Sequence, residues 1–329
     1  MWGYNIHEIL IVSGFGGIIA FIITFLIMPW LIQKLMEAGI VGIDLHKMHR
    51  PSIPEMGGLG ILFGIASSVI VGIITLPLQR EKLVIVLFIL LLVALFGALD
   101  DLFNLSAKIK LSLPILFGVP LLLVSPSSTI RMFSLTIDLS FFYWIIILFW
   151  LMIAINTTNM LAGLNGVEAG LGAIVCFNLW VVAFFIGTIE STFVLAISTG
   201  ALLAFLWYNK YPAKIFPGNI GVSLIGAIVV VSAVIGKFEF LALIAMMPYF
   251  LDALLKLWSA KGILVRYEHF PTQITSNGKL FASTKNYLSL IRIFIKKKPL
   301  SEKEIVAKIW LLGFGFGILA VLITMLEMA

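Results

Sequence analysis

Two adjacent carboxylates, Asp100-Asp101, close an apolar run and are followed by Asn104, Lys108 and Lys110. Three amides, Asn156, Asn159 and Asn165, gather around Gly163 at the end of another. An amide without a partner in hydrocarbon is strongly disfavoured, so these groups must face protein, water or a ligand. Ionisable groups at the end of a membrane-length run point to function by default. Neighbours on a helix diverge by about 100°. Asp101 and Asn104 therefore share a face while Asp100 can reach Asn104, so one carboxylate could hold a metal while the other touches a substrate or a lysine. The bland alternative is a polar helix end with Lys108 and Lys110 as anchors. If the helix continues from Asn156 to Gly163, then Asn156, Asn159 and Gly163 lie on one side. Asn165-Gly166 reads as a tight turn whose backbone N–H groups can meet an anion.

Other polar stretches add to this inventory. Residues 42–58 hold Asp44, His46, Lys47, His49, Arg50 and Glu55. Lys47 and Arg50 taken singly read as orienting basic residues, and the histidine pair lacks a third ligand nearby. Glu55 is harder to dismiss, because it precedes an apolar span with no adjacent basic partner. Gly218-Asn219 alone reads as a helix N-cap. In the long polar segment 258–304, Arg266 and His269 are the candidate ligand contacts, and Lys296-Lys297-Lys298 suits anionic lipid headgroups. There the ladder Tyr287, Leu290, Ile291 and Phe294 has the spacing of a surface helix. Carboxylates, amides, bare glycines and basic groups together suit a phosphate ester held by a hard cation. Oxygen donors without cysteine favour Mg²⁺, or Mn²⁺, over zinc.

The elements that must position these groups are membrane helices. Of 329 residues, 61% are hydrophobic and 12% charged, which is the composition of an integral membrane protein. Runs of spanning length fall at about 8–36, 57–77, 83–100, 109–125, 139–156, 167–187, 192–208, 219–235, 238–257 and 305–327. They predict an all-α, polytopic chain of ten transmembrane helices forming one catalytic domain over 1–329, with segment 258–304 included. Of the 22 Lys and Arg, 18 fall near one set of alternate loops and 4 near the other, which expects the first set and the polar clusters in the cytoplasm and both termini outside. No stretch reads as a cleaved signal. The single cysteine, Cys176, excludes an internal disulfide. The net charge of +6 marks cytoplasmic loops, so no nucleic-acid partner is expected. Gly166-x-x-x-Gly170 and Gly313-x-x-x-Gly317 read as close helix packing.

The motifs Asp100-Asp101-x-x-Asn104-Leu105 with Lys110, and Asn156-x-x-Asn159-x-x-Ala162-Gly163-x-Asn165-Gly166-x-Glu168, closely resemble the polyprenyl-phosphate N-acetylhexosamine-1-phosphate transferases. Asp44-Leu45-x-Lys47, Ile53-Pro54-Glu55 and the placement of Gly218-Asn219 extend the likeness over nearly the whole chain. Ala162-Gly163-x-Asn165-Gly166 is similar to the dolichyl-phosphate GlcNAc-1-phosphate transferase branch. The resemblance implies transfer of GlcNAc-1-phosphate from UDP-GlcNAc, or a related UDP-sugar, to a polyprenyl or dolichyl phosphate in the bilayer, with UMP released and Mg²⁺ required. It implies Asn159, with Asp101 and Asn219, at the metal. It puts Asp100, Asp101 and Lys110 at the reacting phosphates. It puts Asp44, Lys47, Glu55, Asn104, Asn156, Gly163, Asn165, Arg266 and His269 at substrate. The family commonly has Asp where this chain has Asn219, which exchanges a charged ligand for a neutral carbonyl. A prokaryotic plasma membrane is the expected setting, and a homodimer stays open. The rival reading is a transporter of an anionic or phosphorylated solute, which would use broken helices near the midplane and an inverted repeat.

Overall fold

In the computed structural model, described for residues 6–125, 127–133, 135–260, 272–282 and 288–328, the apolar runs fold as helices. Among the described residues, eight are long and apolar enough to cross a bilayer. They are α1 (Ile6–Glu37), α2 (Gly58–Thr75), α3 (Arg80–Phe103), α5 (Phe141–Met160), α6 (Val167–Ile186), α7 (Ile189–Asn209), α8 (Gly218–Gly236) and α12 (Glu302–Met328). The remaining helices are α4 (Ala107–Phe117), α9 (Glu239–Ala245), α10 (Met247–Ala260) and α11 (Leu290–Ile295).

Two of the ten expected spans are not single helices. The run at 238–257 is α9 and α10, bent by 66° at Met246. The run at 109–125 is the 11-residue α4 followed by a 3-10 turn over Val119–Leu123. Pro114 inside α4, then Gly118 and Pro120, account for the break, because proline removes a helical N–H and its ring crowds the preceding turn. All-α also needs correction. Three two-stranded antiparallel hairpins sit at helix ends: β1 (Val41–Ile43) with β2 (Ser52–Pro54), β3 (Thr129–Met132) with β4 (Leu135–Asp138), and β5 (Thr272–Ile274) with β6 (Leu280–Ala282). Strands of three or four residues leave no periodicity to read.

Helix α8 is the axis of the bundle. Every residue from Ile220 to Gly236 is buried, as expected of a helix that is apolar all round. It is packed by α2, α3, α5 and α7. Its first turn is gripped most closely: a Cβ at Gly97 of α3 would lie 2.5 Å from the Cα of Ile220. That contact fixes where Asn219 emerges. Both small-residue pairs do serve packing, since a Cβ at Gly170 would lie 2.2 Å from the Trp310 ring of α12. Apolar side chains such as Phe15, Leu26, Leu95 and Leu311 face outward, the surface a bilayer would cover.

Candidate functional site

The amide-rich segment leaves helical geometry sooner than the sequence spacing suggests. Helix α5 ends at Met160, not Gly163, and Gly163 takes φ +117°. Thr157 and Thr158 turn their hydroxyls back onto helix carbonyls, including that of Ala154. The ammonium of Lys256 in α10 meets the Met160 carbonyl, a cation at a helix C-terminus where unsatisfied carbonyls gather. The expected tight turn is present, with Gly166 at φ +87° just before α6.

A hollow of about 400 Å³ opens at this end of the bundle. Among the expected site residues, Asp44, Glu55, Asn159, Gly163 and Asn219 line it. Lys47, Asp100, Asp101, Asn104, Lys110, Asn156 and Asn165 do not. Arg266 and His269, like Tyr287 of the surface-helix ladder, lie outside the described residues. The short α11 carries Leu290 and Ile291 as buried residues, so this part of the ladder packs inward.

Asn219 does not cap α8; Pro217 holds the cap position. The backbone N–H and side-chain amide of Asn219 both donate to Oδ1 of Asp101, at 2.8 and 2.9 Å. The Asn159 amide donates to Asn219 Oδ1 at 2.9 Å. Asp101 thus stands behind the two amides. Its Oδ2 is buried with no hydrogen-bond partner. A buried, unsatisfied carboxylate oxygen is costly and calls for an explanation such as an ion. Among the described residues no group of three His, Cys, Asp or Glu could cage a metal. Two amide carbonyls backed by one carboxylate instead fit a hard cation that keeps water or substrate phosphates as most of its ligands.

Asp100 points elsewhere, as the divergence of helical neighbours requires. It is buried, pairs with Lys110 Nζ at 2.8 Å and accepts from the Leu105 N–H at 2.9 Å. The Lys110 carbonyl in turn accepts from the Asn156 amide at 3.1 Å. Asn104 ends α3 in the left-handed region, with φ 47°. These residues form a polar unit beside the hollow, joined to it through Asp101 and Asn219.

Asn165 is enclosed by a second network. Its N–H and side-chain amide donate to Glu302 Oε1 at 2.6 and 2.7 Å, and the amide also reaches Asp44 Oδ2 at 2.9 Å. Its Oδ1 accepts from the Ala213 N–H at 3.2 Å. Lys47 bridges Asp44, at 3.1 Å, and Glu302. Four elements are pinned together here, with the polar atoms of Asn165, Glu302 and Lys47 facing one another while Asp44 also lines the hollow.

Several residues at the hollow were not assigned a role from sequence. His46 Nδ1 donates to the Gly163 carbonyl at 2.9 Å, which leaves Nε2 to accept from the Thr272 hydroxyl at 2.9 Å. Burial lowers the His46 pKa, partly offset by Glu302 and Asp44, so the neutral ring suits this bridge. Glu168 accepts from the Gly163 N–H at 2.7 Å and holds the turn open. Burial, then the nearby Asp101, raises the Glu55 pKa. Lys256 also lines the hollow. Its signal in the sequence was the Asp252-x-x-x-Lys256 spacing inside an apolar run.

Comparison with known proteins agrees with the motifs. Residues 83–237 match glycosyl transferase family 4. A protein of Methanocaldococcus jannaschii, provisionally named a glycosyltransferase, is 36% identical over 94% of this chain and 96% of its own length. A Saccharolobus solfataricus protein provisionally named UDP-N-acetylglucosamine–dolichyl-phosphate N-acetylglucosaminephosphotransferase is 34% identical over 93% and 95%. The phospho-N-acetylmuramoyl-pentapeptide-transferase of Streptococcus pneumoniae is 28% identical over 94% and 96%.

Proposed function

The chain belongs to glycosyl transferase family 4, among the polyprenyl-phosphate sugar-phosphate transferases, and from that premise we propose that it transfers GlcNAc-1-phosphate from UDP-GlcNAc to a polyprenyl or dolichyl phosphate. A phosphate oxygen of the lipid attacks the β-phosphorus of the nucleotide-sugar, the bond from that phosphorus to the bridging oxygen breaks, and UMP leaves. The lipid diphosphate carries the sugar. The observation that carries this reading is the hollow lined by Asn159, Asn219, His46 and Lys256 with Asp101 behind it.

Phosphoryl transfer asks mainly for alignment and charge neutralisation. Asn159 and Asn219 would hold Mg²⁺, with the charge of Asp101 behind them. When bound, the ion would neutralise charge on the diphosphate. The lipid phosphate has a second pKa of about 6, by analogy with phosphorylated side chains, and is mostly ionised at neutral pH, so no general base is required. Asp100, paired with Lys110, serves as a positioner. Asp44 and Glu55, on the wall of the hollow, would contact the nucleotide-sugar.

The same reading has the site face the cytoplasm, both termini outside, and α4 with its 3-10 turn completing a crossing. The polarity of the loops supports this orientation. Transport gains no support: the relatives are transferases, and the polar clusters sit at one end of the bundle. Purified protein supplied with UDP-GlcNAc, dolichyl phosphate and Mg²⁺ should release UMP, and EDTA should stop it. Vesicle uptake of nucleotide-sugar without UMP would overturn the reading.

A further inference from the structure

A multiply charged diphosphate entering the hollow meets an acidic wall. Asp44, Glu55 and Glu168 all line it. Of the two lysines assigned to the site from sequence, Lys47 is held by Asp44 and Glu302, and Lys110 is held by Asp100 outside the hollow. Among the described residues that line the hollow, Lys256 brings the one ammonium group.

Its position is built, not incidental. Asp252, four residues earlier on α10 and with a fully buried side chain, meets Lys256 Nζ at 2.8 Å through Oδ2. Through Oδ1 the same carboxylate accepts from the Leu290 N–H at 2.8 Å, which fixes the start of α11 and, beside it, the Ser289 wall of the hollow. The Met160 carbonyl also accepts from the ammonium. That carbonyl belongs to the residue after Asn159, whose amide begins the chain of contacts to Asn219 and Asp101. The ammonium and the candidate cation ligands therefore share one wall of the hollow.

We infer that Lys256 binds the diphosphate of the nucleotide-sugar beside the cation ligands, and that Asp252 is its positioning residue; this rests on the function proposed above. An ammonium has three donors. Met160 accepts from one of them, and Asp252 lies in ion-pair contact without its Oδ2 taking a hydrogen bond, so donor capacity remains for a phosphate oxygen, and a desolvated, oriented ammonium is worth more to an anion than a solvated one.

The test is binding of UDP and of uridine to the full chain in detergent with Mg²⁺, by calorimetry. Lys256→Met should weaken UDP by about tenfold to a hundredfold, the range for a charge-assisted hydrogen bond, and leave uridine unchanged. Lys256→Arg should recover part of the loss. Asp252→Asn should weaken UDP less than Lys256→Met does, again without moving uridine. Unchanged UDP affinity in Lys256→Met overturns the inference, as does a parallel loss of UDP and uridine, the mark of a merely structural role.

Because Lys256→Met leaves Asp252 buried without its cation, the pair Asp252→Asn with Lys256→Met provides a neutral version of the same site. Amine labelling of the unaltered protein gives a second readout: UDP, and not uridine, should slow modification of Lys256. Equal labelling with both would also overturn the inference. Absence of UMP release from every UDP-sugar by the unaltered protein would sink the proposed function, whereas normal release with an indifferent Lys256→Met sinks this inference alone.

Discussion

Asn219 meets Asp101 twice, through its backbone N–H at 2.8 Å and its side-chain amide at 2.9 Å. A carboxylate at position 219 would lose the amide donor and set two negative groups against each other. Without a cation that is repulsion; with one it is a stronger site. Asn219→Asp should therefore melt lower than the unaltered protein in EDTA and regain stability on adding Mg²⁺. Its half-saturating Mg²⁺ for UMP release should fall by roughly tenfold, about 1.4 kcal/mol of added affinity. Mg²⁺ titrations of melting temperature and of turnover check both halves.

Asp100 is buried against Lys110 and the Leu105 N–H, which fits a group that orients a cation. Asp100→Asn should lower kcat by about a hundredfold, the scale of a misplaced reacting group, and leave the shape of the pH profile intact. Loss of the acid limb in that variant would assign base catalysis to Asp100 instead, and an unchanged rate would remove both roles. Rates measured between pH 5.5 and 9 distinguish the three.

Glu302 ties α12 to the α5–α6 turn and, through Lys47, to the loop that carries Asp44. Glu302→Ala leaves Lys47 and the Asn165 donors without their main partner. Removing one member of a buried charge network costs about 3–5 kcal/mol. The expected result is a large drop in denaturant midpoint, with UDP affinity lost only as the protein unfolds. Unfolding curves in mild detergent, with and without UDP, test this.

Burial and Asp101 raise the Glu55 pKa, so the folded chain holds this proton to higher pH than the unfolded chain does. The associated stability is fully present below the ordinary glutamate range and is lost as pH rises through the folded value. Glu55→Gln should melt close to the unaltered protein at pH 4.5 and above it at pH 8. A melting difference that shrinks as pH rises would contradict the assignment.

Much of the fold was legible because hydrophobic length is local information: among the described residues, eight runs became single helices close to the expected bounds. The departures came from features that composition cannot weigh. Pro114, Gly118 and Pro120 broke one run, the bend at Met246 broke another, and hairpins of three or four residues were too short to show a period.

By itself, the amino-acid sequence determined a polytopic membrane chain, the end of the bundle at which its polar groups gather, and the motifs that mark its family, because residue type, spacing and charge bias survive without coordinates. Only the tertiary structure decided which polar groups face the hollow and which face each other. Asn165 and Asn219 look alike in the sequence, yet one is locked between Glu302 and Asp44 while the other lines the hollow with Asp101 behind it. Lys256 looked like one more basic residue until α10 brought it against the end of α5. The physical reason is that a hydrogen bond is made or lost over a few tenths of an ångström, and those positions are set by distant helices packing around α8.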